Sequence, residues 1–518
     1  MLQIKNAEIT HKKDLRVILQ DFSCVLNKGD KAAIIGEEGN GKSSLLKWIY
    51  DPGLIEDYAE ASGERIINGE RLAYLPQELP KEEERKSLYE FFAEEPLFYE
   101  KTPKELGKIA KDFAVSQEFF YGEQFMGTLS GGEKVKAQLM RLLIGNPTVL
   151  LLDEPSNDID MDTLEWLEKM INGWEQIVLF ISHDETLIEN TANMIIHIEQ
   201  IERKTKSRYT VARMPYQQYM EERQQKFDKQ EQQALGERRE KKIRDEKYRR
   251  IYQSVDYAQA VITRQNPSKA RLLKKKMHAV KSMEKRFQRE DENMTDIPEM
   301  ESAIYFKLGD KNTAIPAGKG VVDFSLDRLY TQGEERILAE NVRLLIRGSE
   351  KICIVGRNGA GKTTLLKKMA AELLDRTDIH AEYMPQNYED LLKPEMTPVD
   401  FLDTSGKKEE RTKIRTYLGS LKYTADEMNH PIAELSGGQK AKILLLKMSL
   451  SGANVLLLDE PTRNFSPLSG PVIRRMLADF PGAIISISHD RKFMEEVCDK
   501  VYCLTESGLI QQSGRGGR

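Results

Sequence analysis

"LSGGQKAKILLLKMSLSGANVLLLDEP" (residues 435–461) has a counterpart 306 positions earlier, "LSGGEKVKAQLMRLLIGNPTVLLLDEP" (residues 129–155). In each copy a serine and two glycines open a stretch of helical periodicity, and an apolar run then ends on an Asp-Glu pair. The interval from serine to aspartate is 23 residues in both, Ser130 to Asp153 and Ser436 to Asp459. A continuous apolar run bounded by polar residues is the pattern of a buried parallel strand. The repeat therefore predicts one helix-and-strand unit used twice.

The likeness extends outward from this stretch. "GEEGNGKS" (Gly36–Ser43) and "GRNGAGKT" (Gly356–Thr363) both follow the phosphate-binding pattern of Gly, four residues, then Gly-Lys-Ser/Thr. Each follows a strand-like run ("KAAII", "KICIV") and opens onto a helix-like one ("SLLKWI", "TLLKKMA"). "YLPQ" with Gln77 and "YMPQ" with Gln386 come next, and "SHD" with His183 and His489 closes each copy. From Glu154 to His183 and from Glu460 to His489 the interval is 29 residues both times. A single glycine-rich loop is weak evidence. Five motifs in one order, twice, at matched intervals define a duplicated nucleotide-binding domain.

Bulk composition narrows the class. The 518 residues suffice for several domains, and 40% are hydrophobic against 31% charged. Apolar runs such as "IVLFIS" are far shorter than the roughly 20 residues a membrane span needs. "MLQIKNAEITHKK" lacks the apolar stretch of a signal peptide. Cys24, Cys353, Cys498 and Cys503 show no metal-ligand spacing and read as reduced thiols. The expectation is a cytoplasmic protein without its own membrane anchor. Charge is uneven: from Arg203 to Arg289 there are 26 Lys and Arg against 10 Asp and Glu, a surplus of 16 in a chain whose net charge is −5. That surplus points to a polyanionic partner.

These motifs resemble those of ATP-binding cassette proteins. Two cassettes in one chain, no membrane span and a charged helical linker are similar to the ABC-F group, whose members act on ribosomes. The resemblance implies an α/β fold of two tandem cassette ATPase domains joined by a long antiparallel helical hairpin. The expected divisions are 1–202, 203–300, 301–512 and a flexible tail at 513–518. It further implies a Mg²⁺-dependent ATPase in which backbone N–H groups of each loop hold phosphate. Gly36, Gly39, Asn40, Gly41, Lys42, Ser43 and Ser44 would bind ATP in the first half. Gly356, Asn358, Gly359, Ala360, Gly361, Lys362, Thr363 and Thr364 would do so in the second. Ser43 with Asp153, and Thr363 with Asp459, would hold Mg²⁺; Gln77 and Gln386 would sense it. Glu154 and Glu460 would orient the attacking water, and His183 and His489 would contact the γ-phosphate.

In that family the "LSGG" segment of one domain closes over the nucleotide of the other. Lys42, Asp153 and Glu154 would thus face Ser436, Gly437 and Gly438, while Lys362, Asp459 and Glu460 would face Ser130, Gly131 and Gly132. The two domains would pair within one chain, as a monomer. Tyr330 is the expected adenine-stacking aromatic of the second half, where the first offers only His11. The halves also end differently. "SNDID" (156–160) keeps Asp160, whereas "TRNFSPLSGP" (462–471) lacks that acid and carries Pro467 and Pro471. This loop predicts unequal coupling of the two sites.

Between the cassettes, "YQQYMEERQQKFDKQEQQALGERREKKIRDEKYRRIYQSV" contains no proline and predicts a helix of about 60 Å. Asn266 and Pro267 give the start signal of a second helix. Leu273, Met277, Val280 and Phe287 form a stripe suited to packing on the first. "VDYAQAVITRQ" (255–265) makes an apolar tip on basic shafts. Arg249, Arg250, Tyr257, Arg264, Lys274, Lys275 and Lys276 are the candidate RNA contacts, since RNA is read through phosphate charge and stacking. The interval from Gln77 to Ser130 is 53 residues and that from Gln386 to Ser436 is 50, so neither half carries an inserted arm.

The resemblance to resistance-type members implies a 70S ribosome partner, with contacts to large-subunit rRNA and P-site tRNA. The alternatives are a housekeeping translation factor, the ATPase subunit of a transporter and a DNA-repair ATPase. The basic linker argues against the transporter subunit, and the absence of paired zinc-type cysteines against the repair enzyme.

Overall fold

A computed structural model describes residues 1–201, 206–261, 267–292, 294–295, 308–309, 313–331 and 336–512. The chain forms two compact units, Met1–Tyr216 with Glu301–Arg518, and Gln217–Met300.

The first unit contains two six-stranded sheets of the same design. In the first cassette the order is Leu72–Leu75, Val149–Asp153, Ile177–Ile181, Lys31–Ile35, Met194–Ile201 and Lys206–Ala212. The first five strands run parallel and the last antiparallel. The second cassette repeats this with Ala381–Met384, Val455–Asp459, Ala483–Ile487, Lys351–Val355, Lys500–Thr505 and Gly508–Gln511. Both "VLLLD" runs and "IVLFI" are buried at every position, as strands covered on both faces by helices must be. A small antiparallel sheet accompanies each cassette, formed by Val17–Leu26, Leu2–His11 and Ala59–Ile66 in the first and by Gly320–Tyr330 with Ile337–Arg347 in the second.

This topology gathers the motifs. Lys31–Ile35 lies next to Ile177–Ile181, which in turn pairs with Val149–Asp153, so the carboxyl ends of all three fall on one edge of the sheet. The glycine loop, Asp153–Glu154 and Ser182–His183 therefore emerge side by side, where open α/β sheets hold their ligands. The second cassette does the same through Lys351–Val355, Ala483–Ile487 and Val455–Asp459.

One boundary moves. The linker, expected from residue 203, begins at Gln217, because Lys206–Ala212 completes the first cassette's sheet. Its Thr210 faces His197 and its Tyr209 faces Ile198, a ladder that the surrounding positive charge concealed.

The second unit is a helical hairpin. Its long helix, Tyr216–Val261, has 46 residues and a length of about 69 Å. The return helix is Pro267–Glu292. Gln233 bonds Thr295, Arg244 bonds Glu290 at 2.9 Å and also bonds Asp291, and Tyr248 meets Phe287 edge-on at 6.0 Å. Partners that fall on one helix as they rise on the other establish antiparallel packing. Leu273, Met277, Val280 and Phe287 all lie on the covered face, with Val280 buried. Arg249, Arg250, Lys274, Lys275 and Lys276 are exposed, and Tyr257 is 72% exposed. Arg264 and Asn266 lie outside the described residues.

Candidate active site

Each glycine loop has the backbone its pattern demands. Gly36 (φ 149°) and Gly356 (φ 150°) pass so close to the sheet that a Cβ would lie 2.3 Å from Ile198 O or 2.9 Å from Leu504 O. Gly41 and Gly361, at φ 82° and 92°, stand just before the helices Lys42–Tyr50 and Lys362–Leu374. Left-handed backbone there is open to glycine at little steric cost and aims successive N–H groups into the loop. Lys42 Nζ donates to Gly36 O at 2.9 Å and Glu37 O at 3.0 Å; Lys362 Nζ donates to Gly356 O at 2.7 Å and Arg357 O at 3.1 Å. Both ammonium groups are thus held over a cradle of amides, the place a phosphate oxygen would take.

The first cavity, about 470 Å³, is lined by His11, Gly39, Gly41, Lys42, Ser43, Ser44, Gln77, Glu154 and His183, and across from them by Ser436 and Gly437. The expected cross-cassette pairing is therefore present on this side. Gly438 N donates to Glu38 Oε2 at 2.5 Å, tying the first glycine loop to the start of the helix Gly437–Ser451. Asn40 is buried instead, with its amide on Ile198 O. Ser43 Oγ donates to Asp153 Oδ1 at 2.9 Å and Tyr74 OH to Oδ2 at 3.2 Å. Burial pushes the Asp153 carboxyl up to about 6, against the Ser43 hydrogen bond.

The second cavity, about 490 Å³, is lined by Asn358, Gly359, Gly361, Lys362, Thr363, Thr364, Gln386, Asp459, Glu460 and His489. Ala360 packs against the core instead. Here the cross-cassette wall is Ser156, Asn157, Asp158 and Ile159 with Leu164, His183 and Asp184, not Ser130, Gly131 and Gly132. The first signature packs against the loop of its own cassette. A Cβ on Gly131 would meet Asp158 O at 1.9 Å and one on Gly132 would meet Thr163 Oγ1 at 2.7 Å, while Asn358 Nδ2 already bonds Asp158 O at 2.5 Å. Ser130 and Glu133 close a capping box, with Ser130 N on Glu133 Oε2 at 2.9 Å. Tyr330 is also absent from this wall, where Thr331 and Leu338 stand.

The two acid–histidine pairs differ. Glu154 and Glu460 share a left-handed backbone at φ 52°. Glu154 Oε1 lies 3.0 Å from His183 Nε2, and His183 N donates to Glu154 Oε2 at 3.1 Å. His183 Nδ1 meets Phe465 O of the other cassette at 2.8 Å. Burial would raise the Glu154 carboxyl, but the His183 charge and hydrogen bonds outweigh it and hold it below the usual range. Burial would lower His183, and Glu154 in turn holds it above its ordinary value. In the second cassette His489 Nε2 is 3.9 Å from Glu460 and its Nδ1 is unpaired. Burial and the Asp459 charge push Glu460 up to about 8, and burial with Lys362 drives His489 down to about 4. Both Asp459 carboxylate oxygens are buried without a hydrogen bond, although Thr363 is near enough to lower that carboxyl against the upward push of burial. An orphaned carboxylate beside a threonine hydroxyl fits a hard cation with oxygen ligands.

Among the cavity residues that sequence spacing missed, four carry an aromatic ring or a charge of note. Tyr58 lines the first, its hydroxyl within 3.5 Å of Ser44 Oγ, and supplies the aromatic that the His11 segment lacked. Glu38 and Arg16 lie there too, and Arg463 borders both cavities. Glu38 and Arg463 find their partners across 400 and 305 positions, so no local pattern announces them.

Two glycine loops, each beside an Asp-Glu pair and each facing the opposite cassette across its own cavity, define an ATPase of two cassettes. The profile described as "ABC transporter" matches residues 19–157 and 339–463, just over half of the chain, and the chain belongs to that family. Its domains hydrolyse ATP, generally with Mg²⁺. The chain is 26% identical to "ATP-binding protein Uup" of Buchnera aphidicola over 98% of its length and 81% of the relative's. It is 27% identical to "Ribosome protection protein VmlR" of Bacillus subtilis over 96% of this chain and 86% of that one. With "Probable ATP-binding protein YheS" of Escherichia coli K12 it shares 25% over 95% and 77%. Among solved structures, "RNase-L Inhibitor" matches 98% of this chain and 90% of its own, with a TM-score of 0.57 and 17% identity, which establishes the fold.

Proposed function

We propose that this ATPase is an ABC-F protein that binds ribosomes in its ATP-bound form. The observation carrying the reading is a cationic hairpin on a pair of cassettes that share a nucleotide cavity, which fits a protein whose docking on RNA is governed by nucleotide. In this reading the closed form enters the E site of the 70S ribosome in the cytoplasm. Its linker reaches toward the peptidyl-transferase region and P-site tRNA, bound antibiotic is displaced, and hydrolysis allows release. Exposed Arg249, Arg250, Lys274, Lys275 and Lys276 supply phosphate contacts and Tyr257 a stacking surface. The relative named as a ribosome protection protein supports this choice. The alternative, a housekeeping factor that relieves stalled ribosomes, is not favoured by the relatives named only as ATP-binding proteins. Among the described residues no helix is long and apolar enough to cross a membrane.

At each site Lys42 or Lys362 and the loop amides would hold the phosphates. Ser43 with Asp153, or Thr363 with Asp459, would hold Mg²⁺, which neutralises phosphate charge when bound. Glu154 and Glu460 would orient water, with His183 and His489 at the terminal phosphate. The Glu154→Gln, Glu460→Gln double variant tests the whole. It is expected to bind ATP, to lose hydrolysis and to pellet with ribosomes at low salt. An ATP-loaded double variant that never pellets would exclude the ribosomal role.

A further inference from the structure

Arg463 occupies an unusual place between the two cavities. Asn157 N bonds Glu154 O at 3.1 Å and Arg463 N bonds Glu460 O at 3.3 Å, so the two residues hold equivalent turn positions in their cassettes. Both border the first cavity and both border the second. The positions match, but the chemistry does not: one is a neutral amide and the other a guanidinium. Arg463 Nη2 is held by Asp158 Oδ2 of the other cassette at 2.8 Å, and Asp158 itself sits at φ 57°. Burial raises the carboxyls of both Asp459 and Glu460, and the Arg463 charge is among the influences that oppose that rise. Lys42 and Lys362 each serve one cavity; Arg463 faces two.

We propose that Arg463 couples the two nucleotide cavities, one guanidinium held in reserve on Asp158 and shared between the phosphates of both. A nucleotide in one cavity draws the cation and leaves the other cavity less neutralised; loss of phosphate returns it. One planar cation with several donors suits an exchange between a carboxylate and phosphate oxygens. The side chain is 29% exposed and its Asp158 partner 57%, so the ion pair adds little to stability and is free to exchange. This rests on reading the cavities as ATP sites.

The test is additivity of turnover. Glu154→Gln leaves the second site active and Glu460→Gln the first. In the unsubstituted chain the two single-site rates are expected to miss the total by about fivefold or more, the lower end of ordinary site-to-site coupling. With Arg463→Ala added to each variant, the rates should sum to that of Arg463→Ala alone within about twofold, a change below that coupling range. Arg463→Lys, which keeps the charge, should restore part of the deviation, and melting curves should be unchanged throughout. Non-additivity that survives Arg463→Ala, or additive rates in the original chain, would overturn the inference alone. Absence of ATP turnover in the original chain would overturn the site reading and the inference with it.

Discussion

Glu38 offers a direct measurement of how the first site competes with itself. Its carboxylate accepts from Gly438 N at 2.5 Å, at the start of a 15-residue helix whose dipole and free amides favour an anion. A phosphate held by Lys42 must share or displace that carboxylate. A charge-assisted hydrogen bond is worth about 1.5–3 kcal/mol, and the helix dipole acts through the same donors, so the two are not added. Displacement therefore weakens nucleotide binding by about 10- to 100-fold, and the half-buried setting favours the lower figure. Glu38→Ala removes the competitor. Glu38→Gln keeps an acceptor without charge and retains about 0.5–1.5 kcal/mol of competition. The expected affinity order is Ala, then Gln, then the original residue. Titration with a fluorescent ATP analogue and Mg²⁺ measures it, with Lys362→Ala silencing the second cavity and Glu154→Gln stopping turnover in the first. Glu38→Ala binding no tighter than its parent would refute the reasoning.

The acid–histidine pairs predict different pH profiles. With Glu154→Gln, turnover should rise as pH passes about 8, where Glu460 gives up its proton, whereas Glu460→Gln should lack that rise because Glu154 is held ionised; matching profiles from pH 6 to 9 would contradict this. At the cassette interface, buried Arg474 bonds Glu185 at 2.7 Å and Glu496 at 2.8 Å. Arg474→Ala should destabilise by about 3 kcal/mol, because Glu185 stays in the interior with the Tyr216 hydroxyl at 3.3 Å and Lys492 at 3.6 Å in place of its closest cation. Thermal unfolding reads the loss, and the Arg474→Met, Glu185→Gln pair should recover most of it; an unshifted melting curve for Arg474→Ala would show the pair to be dispensable.

What was legible in the sequence follows from how local each feature is. "VLLLDEP" declares a buried strand with acids at its end, and the glycine loops declare their φ > 0 turns, because those demands fall on adjacent residues. The hairpin was legible through its start signal and the stripe from Leu273 to Phe287. The docking of the cassettes was not. Glu38 meets Gly438 across 400 positions and Arg463 meets Asp158 across 305, and no spacing rule spans such distances. The family resemblance also implied that both signatures close a cavity, yet of the two only Ser436 and Gly437 reach a cavity wall. In the other cavity, Asp158 stands at the wall where the first signature was expected.

The unequal loops explain why identical "SHD" segments give unlike histidines. In "SNDID", Asp160 turns back to accept from Thr163 N at 3.0 Å and starts a helix of its own cassette. In "TRNFSP", Ser466 replaces that acid, and Pro467 leaves its carbonyl to Tyr216 OH at 3.3 Å. The chain thereby presents the Phe465 carbonyl outward, 2.8 Å from His183 Nδ1. A histidine with an acceptor at each ring nitrogen is stabilised in its charged form, which agrees with the upward push on His183 and the downward push on Glu154. His489 has no acceptor at Nδ1 and remains neutral. Because cassette two supplies the second acceptor for His183, the charged pair at the first site belongs to the docked cassettes together and not to the first cassette alone.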